Sequence, residues 1–162
     1  MKTNEFTLQA LTMAWAMNVR NHIYAIPNNT IILRWEADLL TFTKACFIHE
    51  FECKLNVYDY RADAKKVGKH QDLANRFPIR IPNYFWYATL EGFEIEPPEY
   101  AGWIIISLNI SRRPWGVEVK KEAPRLHKTS ASDWQMKAAY RCMAHHLRKE
   151  YMDQLRRLEQ IQ

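Results

Sequence analysis

Three side chains between Trp35 and Leu55 have the types and spacing needed to hold a hard divalent cation and cut a phosphodiester: Asp38, Glu52 and Lys54. Asp38 stands in one short apolar run, and the Glu-x-Lys pair stands in the next. Side chains alternate between the faces of a strand, so Glu52 and Lys54 share one face while Phe51, Cys53 and Leu55 share the other. The second set suits a core. The first brings two carboxylates and an ammonium to one place.

Those two runs are close enough to form a hairpin. A turn centred on Ala45 sets Asp38 opposite Glu52 and Glu36 opposite Lys54, with opposed Cβ atoms roughly 4.5–5.5 Å apart. That is near enough for two carboxylates to share a metal. A two-residue turn at Thr43-Lys44 instead pairs Asp38 with His49 and breaks the site, because a one-residue slip changes the face. No Gly or Asn marks the turn, so the register is an expectation. Glu50 lies on the same face as the pair, where it either tunes the site or is a solvated surface acid.

The elements that must position these groups follow from pattern. Thr3 or Asn4 caps a first helix to about Arg20, with Phe6, Leu8, Leu11, Ala14, Trp15 and Val19 on its apolar side. Pro27-Asn28-Asn29 reads as a turn between short strands at residues 22–26 and 30–34. After the acidic hairpin, Asn56 or Asp59 opens a second helix towards Phe77, weakened at Gly68 and ended by Pro78 and Pro82. Residues 84–89 and 103–108 read as buried strands, and Val117 to Lys120 as a half-exposed edge strand. Ser132 with Gln135 makes a capping box for a long C-terminal helix, its apolar stripe being Tyr140, Ala144, Leu147, Tyr151, Leu155 and Leu158. This order predicts an α/β fold, a mixed sheet flanked by helices, with residues 1–128 as the core and 129–162 as a helix packed on the same domain.

A chain of 162 residues is one domain with a real core. Hydrophobic residues at 48% and charged residues at 25% exclude wholesale disorder. A net charge of +5 suits a polyanionic partner without proving one. Cys46, Cys53 and Cys142 are odd in number and scattered, which favours buried thiols in a reducing, cytoplasmic setting. Cys46 and His49 point to opposite faces of a strand and make no zinc site. The apolar stretch within residues 11–17 is too closely flanked by polar groups for a secretion signal or a membrane span.

Asp38 followed by Glu52-Cys53-Lys54 resembles the PD-(D/E)XK nuclease superfamily, the restriction-endonuclease-like fold. The likeness covers about residues 4–128. Asp59-Tyr60-Arg61-Ala62-Asp63-Ala64-Lys65-Lys66, with Lys69-His70, is similar to small bacterial and phage members. So are Pro82-Asn83-Tyr84-Phe85-Trp86-Tyr87, Glu91-Gly92, Pro98-Glu99-Tyr100-Ala101-Gly102 and Ala123-Pro124-Arg125-Leu126-His127-Lys128. The chain also resembles MmcB-like DNA-repair proteins. Two departures stand out: Ala37 replaces the proline often found before the first acid, and no Gln-x-x-x-Tyr follows His70.

The resemblance implies Mg²⁺-dependent hydrolysis of DNA, with Mn²⁺ as a substitute, in repair, recombination or phage DNA processing. Asp38, Glu52 and the backbone carbonyl of Cys53 would be the metal ligands, with Glu5 and Glu36 as further acids, and Lys54 would act on the attacking water. Lys65, Lys66, Lys69, His70, Arg112 and Arg113 are the expected DNA contacts, beside Trp115 as a stacking ring. The alternative is a catalytically inactive nuclease-fold module that binds nucleic acid or a protein partner. The outer stripe of the last helix serves either its own core or a homodimer.

Overall fold

The computed structural model describes residues 4–76, 80–108 and 116–159. The first helix, α1 (Glu5–Asn18), starts where Asn4 accepts a hydrogen bond from the Thr7 amide at 2.9 Å, with the acidic Glu5 in its first turn. Its buried face is Leu8, Gln9, Thr12, Trp15 and Ala16. Phe6 and Val19, expected on that face, are exposed.

Six strands follow: β1 (Tyr24–Asn29), β2 (Ala37–Phe42), β3 (Ile48–Lys54), β4 (Tyr84–Leu90), β5 (Ala101–Ile106) and β6 (Val117–Lys121). They form one sheet in the order β1-β2-β3-β4-β5-β6. β1 to β3 are an antiparallel meander, β4 and β5 run parallel to β3, and β6 is antiparallel at the far edge. The α/β class with a mixed sheet and a long C-terminal helix is therefore as expected. A solitary six-stranded sheet would expose two apolar faces, so helices cover both.

Three local readings change. Pro27-Asn28-Asn29 is not a turn but the end of β1, with Pro27 opposite Leu39. β1 is an edge strand, where a residue without an N–H costs no ladder bond. Residues 30–34 are not a strand. The Asn29 side chain accepts from the Ile31 and Ile32 amides and starts a loop that drops Ile32 and Leu33 into the core. The single helix expected after β3 is two, α2 (Val57–Ala64) and α3 (Val67–Ala74). The break falls at Lys65-Lys66, where Lys66 leaves helical geometry with ψ 64°.

The core has three parts. α1 packs on Leu39, Phe51, Trp86 and Ile104, on one side of the sheet. On the other, Ile26, Leu40, Phe42 and Ile48 meet the start of the last helix, α4 (Asp133–Glu159), and Phe85, Tyr87 and Trp103 meet Leu73 of α3. The Ser132–Gln135 capping box is present, with each side chain bonded to the other's amide. The stripe read from periodicity on α4 is not what packs. Met136, Ala138, Ala139, Cys142 and Met143 face the core, whereas Tyr140, Leu147, Tyr151, Leu155 and Leu158 are exposed.

Candidate functional site

The β2–β3 hairpin has the register on which the site depends. Leu39 pairs with Phe51, Leu40 with Glu50, Thr41 with His49 and Phe42 with Ile48. Continued by one residue, this sets Asp38 opposite Glu52. The turn closes without glycine because Cys46 takes the left-handed conformation, at φ 57°, and its amide bonds to the Thr43 carbonyl at 2.9 Å. A non-glycine residue there carries a cost that the flanking ladder must offset.

Asp38, Glu52 and Lys54 meet as the spacing predicts. Lys54 Nζ lies 2.7 Å from Glu52 Oε2 and 3.9 Å from Asp38 Oδ2. The Cys53 amide donates to Asp38 Oδ2 at 2.8 Å, tying the two strands at the site. Glu5 is exposed at the start of α1, close enough for its charge to act on Asp38. Glu36 lies just outside β2 and is exposed; the ion partners of Lys54 are Asp38, Glu52 and Asp63.

The remaining neighbours are buried charges rather than a wet surface. Glu50 is fully buried, not solvated, and accepts from Trp35 Nε1 at 2.8 Å. Lys69 of α3 is not a surface cation for DNA: it is buried, 2.8 Å from Glu50 Oε1 and bonded to Glu52 Oε1. His70 is likewise occupied, by the Asp63 carbonyl at 2.8 Å and the Tyr100 hydroxyl at 2.8 Å. Asp63 of α2 receives the Tyr87 hydroxyl at 3.0 Å and sits 3.7 Å from Lys54 and 3.1 Å from Lys66. Lys65 and Lys66 are exposed as expected, while Arg112, Arg113 and Trp115 lie outside the described residues.

Four carboxylates thus surround two buried ammonium groups, and the surplus of acid appears in the titration. Burial and the charge of Glu52 raise the Asp38 pKa to about 6, against the pull of Lys54 and the Cys53 amide. Burial raises Glu50 to about 7, opposed by Lys69. Glu52 and Asp63 are held below the ordinary carboxylate range: burial would raise each, but Lys69 and Lys54 outweigh it, joined at Asp63 by His70. Burial would lower Lys54 and Lys69, yet their acidic neighbours raise both, so both remain ammonium. Glu50 Oε2 is sealed from water without a hydrogen bond, and Asp63 Oδ1, sealed as well, has only the Lys66 and Lys54 ammonium groups to balance it. A depression of about 400 Å³ lined by Arg34, Trp35, Lys66, Gly68 and Asp72 opens beside Lys69.

Sequence reasoning missed Trp35, Asp63 and Tyr87, and misplaced Glu50 and Lys69. Tyr87 is opposite Glu52 only because β4 lies parallel to β3, a pairing made across a crossover and invisible to local spacing. Asp63 carries a weak signal, since Lys66 follows it at helical spacing and lies 3.1 Å away; Lys69 carries none, because its partners Glu50 and Glu52 stand on β3.

Among the described residues no three His, Cys, Asp or Glu side chains cluster closely enough to form a metal-binding group. No helix among them is long and apolar enough to cross a membrane. No family model matches the chain, and no curated protein does. The SPO1766 protein of unknown function from Silicibacter pomeroyi is similar in fold. It is 18% identical, with 98% of this chain and 96% of that chain covered at a TM-score of 0.63.

Proposed function

We propose that this chain is a metal-dependent nuclease of the PD-(D/E)XK type, related to the MmcB-like DNA-repair proteins, that hydrolyses DNA phosphodiester bonds. The observation that carries the reading is the hairpin register, which faces Asp38 towards Glu52 with Lys54 between them. The order of α1, a three-stranded meander, a helical crossover and a parallel β4 supports it as well.

The donor set fits Mg²⁺ or Mn²⁺. It consists of oxygen, and burial, joined by the charge of Glu52, makes Asp38 and Glu50 resist ionisation in the absence of a cation. Two carboxylates and the Cys53 carbonyl are few, but magnesium keeps several waters and takes the rest from a substrate phosphate. Asp38 and Glu52 would hold the ion, with Glu5 next to Asp38 as a further acid. When bound, the ion supplies Lewis acidity towards the phosphoryl oxygen and a more acidic water.

The chain's own groups do the remainder. Lys54 stays an ammonium, so it orients the attacking water and faces the charge developing on phosphate; it does not accept the proton. Lys69 and Glu50 hold Glu52 from behind. Lys65 and Lys66 on the rim meet backbone phosphates without sequence preference. Water oxygen bonds to phosphorus as one ester P–O bond breaks; the attacking water gives up a proton to solvent, and the departing oxygen takes a proton from solvent and leaves as an alcohol.

A second reading has its own support. Glu52 is bridged by two ammonium groups of the same molecule, so its charge is balanced without a metal. That favours a fold retained for binding nucleic acid or a protein. Cleavage of single-stranded, duplex and branched DNA with Mg²⁺ or Mn²⁺ against EDTA separates the two. Asp38→Asn, Glu52→Gln and Lys54→Met should each lower the rate by about 100-fold or more with the circular dichroism of the wild type. DNA binding without cutting under either metal would select the second reading.

A further inference from the structure

Across the sheet from Glu52, a second polar site is built into an otherwise apolar layer. His22, just after α1, and His49 of β3 lie with ring centroids 4.3 Å apart, and both are buried. They line a cavity of about 240 Å³ walled by Phe47, Tyr84 and Trp86. Arg20 also lines it, bonded through two nitrogens to Glu122 at 2.9 and 3.2 Å.

The protonation of each ring follows from its neighbour. Trp86 Nε1 can only donate, and it lies 3.1 Å from His49 Nδ1, so that nitrogen bears the lone pair and Nε2 bears the hydrogen. Thr41 is sealed, and its hydroxyl sits 2.7 Å from His22 Nδ1. A buried hydroxyl hydrogen needs an acceptor, and this nitrogen is the one in reach, so His22 also carries its hydrogen on Nε2. Among the described residues neither Nε2–H has a partner. Neither is a sealed orphan, and both rings line the cavity.

Two N–H donors and no lone pair exclude a metal ion there, since a ligating imidazole needs a free lone pair. They call for an acceptor with two oxygens. Burial, with His22 and Arg20 nearby, lowers His49 to about 2; burial and Arg20 lower His22 to about 4. Both rings are therefore neutral at physiological pH, and Arg20 is already balanced by Glu122. A singly charged group is held more readily than a phosphate dianion. The volume is below the roughly 300–1,000 Å³ of sites for drug-sized ligands, and three walls are aromatic. We infer that this cavity binds a small monocarboxylate with a planar apolar body, its two oxygens on the Nε2–H groups of His22 and His49 and its body against Phe47, Tyr84 and Trp86.

This assignment does not rest on nuclease activity. The test is a titration of the intact chain with benzoate, read in the imidazole proton–nitrogen NMR spectrum and by calorimetry. Saturable binding, in the millimolar range or tighter, should shift the His22 and His49 Nε2 signals. Toluene and benzyl alcohol should bind at least about tenfold more weakly, since they leave the donors unpaired. His49→Phe should abolish benzoate binding; if that variant does not fold, the comparison among ligands decides alone. No saturation by benzoate, equal binding of benzyl alcohol, or tighter binding of inorganic phosphate would each overturn the inference.

Discussion

The two faces of β3 are equally buried and chemically opposite. All seven residues from Ile48 to Lys54 are buried. Towards α1 the strand presents His49, Phe51 and Cys53, which pack with Trp15 and Trp86. Towards α2 and α3 it presents Glu50, Glu52 and Lys54, held by Lys69 and Asp63. Hydrophobic burial explains the first face. The second carries charges whose desolvation cancels much of their attraction, so stability alone is a weak reason for it. A costly set of matched ions at the middle of a sheet is better explained by function.

Removing one member from each face tests that contrast. Lys69→Met strands Glu50 and Glu52 with one ammonium fewer and should cost about 3–5 kcal/mol. Phe51→Ala should cost about 3–5 kcal/mol through lost contact and a cavity. Only the first should be rescued by a second change: Lys69→Met with Glu50→Leu removes both charges and should recover much of the loss. Urea unfolding of five chains, Glu50→Leu alone included, measures this. A double variant as unstable as the sum of its parts would mean that the charged face contributes stability after all.

That contrast also separates what could be read from the sequence from what could not. Strand alternation, and a turn centred on Ala45, were enough to place Asp38 against Glu52 and to put Phe51 and Cys53 in the core. Glu50 and Lys69 were misjudged because charged side chains default to water, and their partners arrive from α3 and the Trp35 loop. Long-range pairing also explains β1, where local turn chemistry at Pro27-Asn28-Asn29 yielded to an edge position in the sheet. On α4, helical spacing identified an apolar stripe but not which of two stripes the sheet would cover.

The faces should respond to pH with opposite sign. His22 and His49 titrate in the native chain at about 4 and about 2, below the ordinary 6.5. Their contribution to stability is complete above pH 6.5 and is lost as pH falls towards those values. The slope is up to about 1.4 kcal/mol per pH unit for each ring. Glu50, raised from 4.5 to about 7, does the reverse: its contribution is present below pH 4.5 and lost as pH rises through 7. Between pH 4.5 and 6.5, Glu50→Gln should gain stability relative to wild type as pH rises. His22→Phe should lose it. Parallel curves for the wild type and either variant would contradict the assignment of that face.

A smaller effect is expected at Gly102 of β5. A Cβ there would come within 2.5 Å of Trp86 Cε3 and 2.6 Å of the Ala123 backbone nitrogen. Gly102→Ala should therefore cost about 1–3 kcal/mol, because backbone must move to admit one methyl group. The strain falls on the α1 side, so the proposed DNA cleavage should change far less than stability.

The smallest effect belongs to α4, whose two stripes repeat the contrast of a covered and an open face. Ala139 is fully buried, while Leu155 and Leu158 are 53% and 62% exposed. If the outer stripe faces water, Leu155→Lys should move the unfolding free energy by no more than about 0.5 kcal/mol. Sedimentation should then be unchanged across dilution. A homodimer joined along Leu147, Tyr151, Leu155 and Leu158 would give the opposite result, a wild-type sedimentation coefficient that falls on dilution and drops to the monomer value in the variant. The proposed nuclease site lies on β2 and β3, so under either outcome any cleavage rate per chain should stay the same, which separates assembly from chemistry.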